Sequence, residues 1–339
     1  MFRRLIGIGI IVIFASCSAP SGDTSGSDGT NPGTGGKSGG GTGGGTGGGS
    51  GSSLPVYVLA KTIPYALANN PDYRVDTHLD EGEIFVIPQS PLTAGNRYTC
   101  SMTMVAGGET FNRSVTFTAA SGSGGYSGST SGLNAINALR RDCGVTDMSI
   151  LDGYTQSASI HAGYQKIQGN IDHYEPNSAN PCYRSNLPWD RISIALGRAA
   201  GSRYWGPNIT MVAEDISSGG DQVANVNDLW NTLAHRLPMM RQSYVRVGYG
   251  NSTDAQQWVQ NSRLTSGPAY LTLDFGGWSQ AKVLGGWPPN GSDKHASIFY
   301  SNSETPDPVP DANAVGGPIH VSLPTSQPLS SISVIFQAL

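Results

Sequence analysis

Apolar and polar positions alternate in four early stretches of the chain, LPVYVLAKTI, GEIFVIPQS, RYTCSMTMV and RSVTFTAA, all within residues 54–119. A period of two, filled by Val, Ile, Phe, Tyr and Thr, predicts short strands. Pro91-Leu92-Thr93-Ala94-Gly95-Asn96 and Ala106-Gly107-Gly108-Glu109 punctuate them with turn chemistry. Beyond a Gly/Ser-rich interval, 120–132, the period changes to three and four. Leu133, Ile136 and Leu139 line a first helix that stops near Cys143-Gly144. Leu151, Tyr154, Ala158 and Gln165 line a second, and Val223, Val226, Trp230 and Leu233 a third. Strand candidates NITMVA (208–213), SYVRVGYG (243–250) and AYLTLDFG (269–276) interleave with these helices, which predicts a layered α/β domain over 133–276. From 277 to 339 Gly and Pro dominate, arguing for an extended strand-and-turn appendage that ends in IHVSL and ISVIFQAL.

The N-terminus adds an address. Arg3 and Arg4 precede an apolar run, Leu5 to Ala15, too short to span a bilayer and of the length of an export signal. Phe14-Ala15-Ser16-Cys17 resembles the bacterial lipoprotein box, which implies lipidation of Cys17 and an anchored protein at the outer membrane or cell surface. Ordinary signal cleavage is the alternative. Residues 18–53 read as a flexible tether: 13 of the 19 residues from Gly33 to Gly51 are glycine, a density that buries nothing and gives a reach of roughly 30 Å. Charged residues make up 13% of the chain, the net charge is −4, and no run of Lys or Arg offers a nucleic-acid surface. In an exported protein the cysteines beyond Cys17 suggest one disulfide, Cys143–Cys182, whose members flank the same helical segment; Cys100 is left over as a buried thiol.

LNAINALRRDCGV, the helix with His161-Ala162, His173 in NIDHYEP, AEDI at 213–216, LWNTLAHR at 229–236 and VGYG at 247–250 follow one another in an order that resembles the CAP superfamily, the SCP/PR-1-like domain, in its shorter bacterial form. The resemblance covers 133–275 and implies an α-β-α sandwich with a cleft lined by histidine and glutamate. It carries His173 and His235 to the two cleft histidines and Glu214 to the first glutamate; the place of a further glutamate in animal and plant members is Leu233 here. The tail, with Trp287-Pro288-Pro289-Asn290-Gly291, Glu304-Thr305-Pro306 and Gly317-Pro318-Ile319, resembles extensions of bacterial CAP proteins. Strand motifs that normally follow such a tail occur instead at Pro91–Tyr98 and Phe117-Thr118. Residues 54–119 and 277–339 therefore form either one β-sandwich or two small β units.

Two imidazoles and one carboxylate are a donor set for Zn²⁺, with water in the fourth position. The same trio suits acid–base work. HExxH does not occur, and no activated nucleophile is named. His161 reads as a packed helix residue bonded to backbone. Glu214, at the end of an apolar strand, needs His173, His235 or Arg236 as a partner, since burying an unpaired carboxylate is costly. Trp205, Tyr204, Tyr244 and Tyr249 suit a glycan or lipid groove and a core equally. Two functions follow: a tethered binding or structural module facing cell-wall glycan, lipid or protein, and a metal-assisted hydrolase using His173, Glu214 and His235.

Overall fold

The computed structural model describes residues 12–13, 53–61, 79–121, 131–202, 209, 211–219, 221–266, 269–277, 282–304 and 307–339. Cys17, nearly all of the export signal and tether, Tyr204 and Trp205 lie outside the described residues. The earliest described pair is the strand β1 (Val12–Ile13).

The alternating stretches become β2 (Val56–Ala60), β3 (Glu83–Pro88), β4 (Arg97–Ala106) and β5 (Glu109–Ala120). Then come α1 (Gly132–Asp142), β6 (Ser149–Ile150), α2 (Asp152–Gln168), α3 (Pro188–Ala195), β7 (Met211–Ser218), α4 (Gln222–Asn231), α5 (Leu233–Met240), β8 (Tyr244–Asn251) and β9 (Tyr270–Gly277). The tail supplies β10 (Gly285–Trp287), β11 (His295–Ala296), β12 (Phe299–Tyr300), β13 (Ala314–Val315), β14 (Ile319–Ser322) and β15 (Leu329–Ala338). Local chemistry sets the helix ends. The Ser131 side chain caps α1 by accepting from the Asn134 N–H, and Asp221 caps α4 by accepting from Ala224. Gly169 ends α2 in the left-handed region, at φ 85°.

The central sheet runs β1-β7-β9-β8-β6, antiparallel where β7, β9 and β8 meet. Alternation in β9 divides its two faces. Leu271, Leu273 and Phe275 enter a core with Ile136 and Leu139 of α1 and Val226 and Trp230 of α4. Gly276 and its neighbours face α2, where a Cβ on Gly248, Gly250 or Gly276 would lie 2.0, 2.2 or 2.1 Å from the nearest atom of Tyr154 or Ser159. The glycines let α2 lie directly on the sheet backbone. The result is an α-β-α core, with further all-β structure built by the flanking segments.

The flanking strands mix. One four-stranded sheet runs β10-β14-β3-β2 and another β11-β5-β4-β15, so residues from before and after the α/β core share both sheets. Ile84, Val86, Ile319 and Val321 of the first pack against Cys100, Met102, Met104, Phe117 and Phe336 of the second. The other side of the first sheet, through Leu59, Phe85 and Ile87, packs on Leu233, Ala234 and Leu237 of α5.

Three sequence expectations change. The strand begun at NITMVA runs on to Ser218, so Glu214 sits inside it and not at its end. LWNTLAHR belongs to two helices and not to one: Thr232 takes extended backbone (φ −90°, ψ 159°) between α4 and α5. The Cys143–Cys182 disulfide is also corrected, since both thiols are free and buried. Cys143 closes α1 in the core on one side of the sheet, whereas Cys182 packs with Ile160 and Tyr164 of α2 on the other. Cys100 is buried as expected, and burial pushes its thiol up to about 12.

Candidate functional site

Two of the three expected residues, His173 and Glu214, meet at the α2 side of β7. Glu214 projects from the strand between α2 and α3. His173, from the loop after α2, places Nδ1 2.9 Å from Glu214 Oε1. On the other carboxylate oxygen, Arg191 of α3 donates from Nη2 at 2.7 Å, and it also donates to the His173 carbonyl at 3.0 Å. Pro188 at the first turn of α3 presets the backbone that aims this guanidinium. His161 lies 3.7 Å from Glu214 through Nε2, which bonds the Asp172 carbonyl at 3.0 Å. Its Nδ1 is 2.9 Å from Glu175, and Glu175 in turn accepts from the Arg184 backbone N–H at 2.8 Å. His161 thus makes the backbone bond read from the sequence and a carboxylate bond besides.

Every member is buried, with Glu214 3% and His173 1% exposed. In that setting the balance of charge decides ionisation. Burial opposes the charged form of Glu214, but Arg191, His161 and His173 together outweigh it and hold the carboxyl well below the usual range. Asp274 stands directly opposite Glu214 across β7 and β9. Burial and the Glu214 charge push Asp274 well above the usual range.

His235 stands apart from this cage. Its Nδ1 is 2.7 Å from Thr232 Oγ1, and burial, with the nearby His173, pushes its pKa down to about 3. The Nε2 atoms of His173 and His235 have no hydrogen-bond partner among the described residues. Thr232, at the helix break, ties His235 to the tail: Glu304 accepts from the N–H groups of Leu233 and Ala234 at 2.9 and 3.0 Å. A carboxylate does stand at Leu233, then, but it arrives from the tail. Burial pushes Glu304 up to about 7.

The zinc expectation is corrected by this arrangement. No group of three or more His, Cys, Asp or Glu placed to hold a metal occurs among the described residues. The physical reason is that a fixed cation, Arg191, already occupies Glu214, while His235 is anchored elsewhere. Arg236, offered from sequence as a partner for Glu214, donates instead to the Trp230 and Pro318 carbonyls. Tyr244 is core, stacked on Phe275 with centroids 6.2 Å apart. Sequence reasoning missed Glu175, Arg191, Asp274 and Glu304. Asp274 carried a signal, a carboxylate inside the apolar run AYLTLDFG; the others are joined to the site only through tertiary contacts.

The model of the CAP family, described as the Cysteine-rich secretory protein family, matches residues 133–262. A CAP/SCP domain in this region is supported by that match. Among solved structures, the chain is similar to an outer surface protein from Borrelia burgdorferi, with 15% identity over 43% of this chain and 90% of that one and a TM-score of 0.32. It is also similar to an extracellular protein containing a SCP domain from Bacillus anthracis, with 11% identity over 57% of this chain and 63% of that one and a TM-score of 0.31. No curated protein matches.

Proposed function

We propose that the chain is an envelope-tethered CAP-domain protein with a binding or structural role, not a catalytic one. The observation that carries this reading is the closed cage around Glu214. Both carboxylate oxygens are engaged, by Arg191 and by His173, and the group is held ionised deep in the fold. A general base needs a free lone pair and a pKa near the working pH. Glu214, held well below the usual carboxylate range, lacks the second, and a histidine with a pKa near 3 is a poor proton acceptor at neutrality. The set works instead as architecture, joining the loop after α2, α3 and β7. The signal run, Cys17 and the glycine-rich tether support a reading in which the module is lipid-anchored at the outer membrane or cell surface, with a cell-wall glycan, lipid or protein as partner.

The test is a panel of peptide and cell-wall substrates offered to the wild type and to Glu214→Gln. We expect no turnover from either. Turnover by the wild type that disappears in a folded Glu214→Gln protein would overturn the reading. Location is checked by Cys17→Ser, expected to move the protein from the membrane to the soluble fraction.

A further inference from the structure

Strand β7, which carries Glu214, has β9 on one side and only the short β1 on the other. β1 runs parallel to β7, with Val12 beside Ala213 and Ile13 beside Glu214. One backbone bond fixes the phase of β7. Ser218 pairs with Tyr270, so Gly219 stands opposite Ala269, and the Gly219 N–H donates to the Ala269 carbonyl at 2.8 Å. Neighbouring residues of a strand turn their N–H and C=O to opposite edges. Ala213 and Asp215 therefore bond β9, while Val212 and Glu214 turn outward. In a parallel ladder a residue bonds the two neighbours of the residue it faces. Val12 accordingly donates to the Val212 carbonyl and accepts from the Glu214 N–H, and Ile13 turns its own backbone groups away from β7.

A second observation lies beside this edge. His173 turns Nδ1 to Glu214, so its Nε2 points away from the carboxylate. That nitrogen and the Nε2 of His235 have no hydrogen-bond partner among the described residues, although both rings are buried, at 1% and 0% exposure. The segment seated on the edge is apolar: from Leu5 to Ala15 the run holds only Leu, Ile, Val, Phe, Ala and Gly. On the export reading a cut before Cys17 removes this run from the finished protein. β7 then keeps its outward groups without the strand that matched them.

We propose that the outer edge of β7 takes an extended apolar peptide of a partner protein, which adds a strand parallel to β7 beside His173 and His235. The export run is the stand-in for that peptide in the uncut chain. Strand addition draws its affinity from backbone bonds and its specificity from alternate side chains. Here the Val212 carbonyl and the Glu214 N–H supply the bonds. A glycan or a lipid has no strand-spaced row of N–H and C=O groups to answer them. The inference deepens the binding reading above and rests on it, naming a peptide as the partner.

The probe is a fluorescent peptide of residues 9–15, Gly-Ile-Ile-Val-Ile-Phe-Ala, with lysines added at one end for solubility. Fluorescence anisotropy reads its binding to the chain cut before Cys17 and to the full chain. The cut chain is expected to bind it, and the full chain, whose edge is filled by its own run, to bind it far more weakly. Methylating the peptide nitrogen at Val12 removes the donor to Val212 and is expected to weaken binding about tenfold or more. Methylation at Ile13, whose N–H faces away, is expected to leave it nearly unchanged. Should the cut chain not fold, the full chain decides alone. Exchange of the Glu214 N–H with solvent is expected to be slow in the full chain and about tenfold or more faster in Val12→Pro, where the run no longer seats. No binding by the cut chain, equal binding by the full chain, equal effects of the two methyl groups, or unchanged exchange in Val12→Pro would each overturn the proposal. Mass spectrometry of the recovered peptide separates this from the reading it rests on. An intact peptide that does not bind ends the strand proposal and leaves the non-catalytic reading in place, whereas a bound peptide that is cut overturns the non-catalytic reading and leaves the docking edge.

Discussion

Glu214 shows what one buried charge demands of its surroundings. Its two oxygens are met by a guanidinium and an imidazole, and removing the guanidinium leaves the carboxylate without its counter-charge in the core. For Arg191→Met we expect a loss of about 3–5 kcal/mol, read by urea unfolding at pH 7. The double variant Arg191→Met/Glu214→Leu is expected to recover much of it, since both charges then leave together. The depressed carboxyl also makes stability depend on acid. With the folded pKa below the ordinary 4.5, the stabilisation is complete above that value and is lost as pH falls through the folded pKa. At this scale the sequence was half legible. His173 and Glu214 come together as their motifs suggested, and the need for a counter-charge at Glu214 was foreseeable from burial alone. Which cation would supply it was not, because Arg191 lies 23 residues away, on helix α3, and nothing local distinguishes it from other arginines.

Elements meet closely where side chains are missing. The VGYG stretch earned notice as a motif, but its physical content is that Gly248 and Gly250 lie under α2. Gly250→Ala would set a Cβ 2.2 Å from the Ser159 backbone nitrogen, and backbone cannot yield as a flexible side chain can. We expect a loss of about 3 kcal/mol or more, measured as a fall in the thermal midpoint, whereas Gly144→Asn at an open, left-handed position (φ 78°) is expected to be nearly neutral. The break at Thr232 was hidden from the sequence for a related reason. Trp230 and Leu233 keep helical spacing, and the carboxylate that caps the second helix belongs to Glu304, from the tail. That cap carries its own pH signature. Glu304 titrates at about 7 in the fold against an ordinary 4.5, so the folded state holds the proton more tightly. Its contribution to stability is greatest below pH 4.5 and falls as pH rises through 7, by about 3 kcal/mol. Denaturation across pH 4 to 8 is expected to show that slope in the wild type and a flatter one in Glu304→Gln.

At the scale of the whole molecule, the α-β-α core and the β structure are not separable bodies. The family match stops at residue 262, yet α5 inside it has its apolar side covered by Leu59, Phe85 and Ile87, which come from before the match, and by Phe299 and Val315, which come from after it. Polar contacts repeat the dependence: Arg236 donates to the Pro318 carbonyl, and the Gln242 amide both accepts from the Val283 N–H, at 2.6 Å, and donates to its carbonyl, at 2.7 Å. The alternating strands on either side of the core were readable one by one, because period two is a local property. Their shared sheets were not, since pairing β3 with β14 joins Glu83 to Ser322 and no local pattern encodes so distant a partner. A fragment of 131–277 should therefore behave as an incomplete fold. It would expose Leu233, Ala234 and Leu237 and leave the α5 N–H groups without Glu304. We expect it to bind a hydrophobic dye and to lack a cooperative thermal transition, while 54–339 unfolds in one step. A cooperative transition in the fragment, at a midpoint near that of 54–339, would show that the flanking sheets are passengers, and the cover they give α5 would then be surplus to its stability.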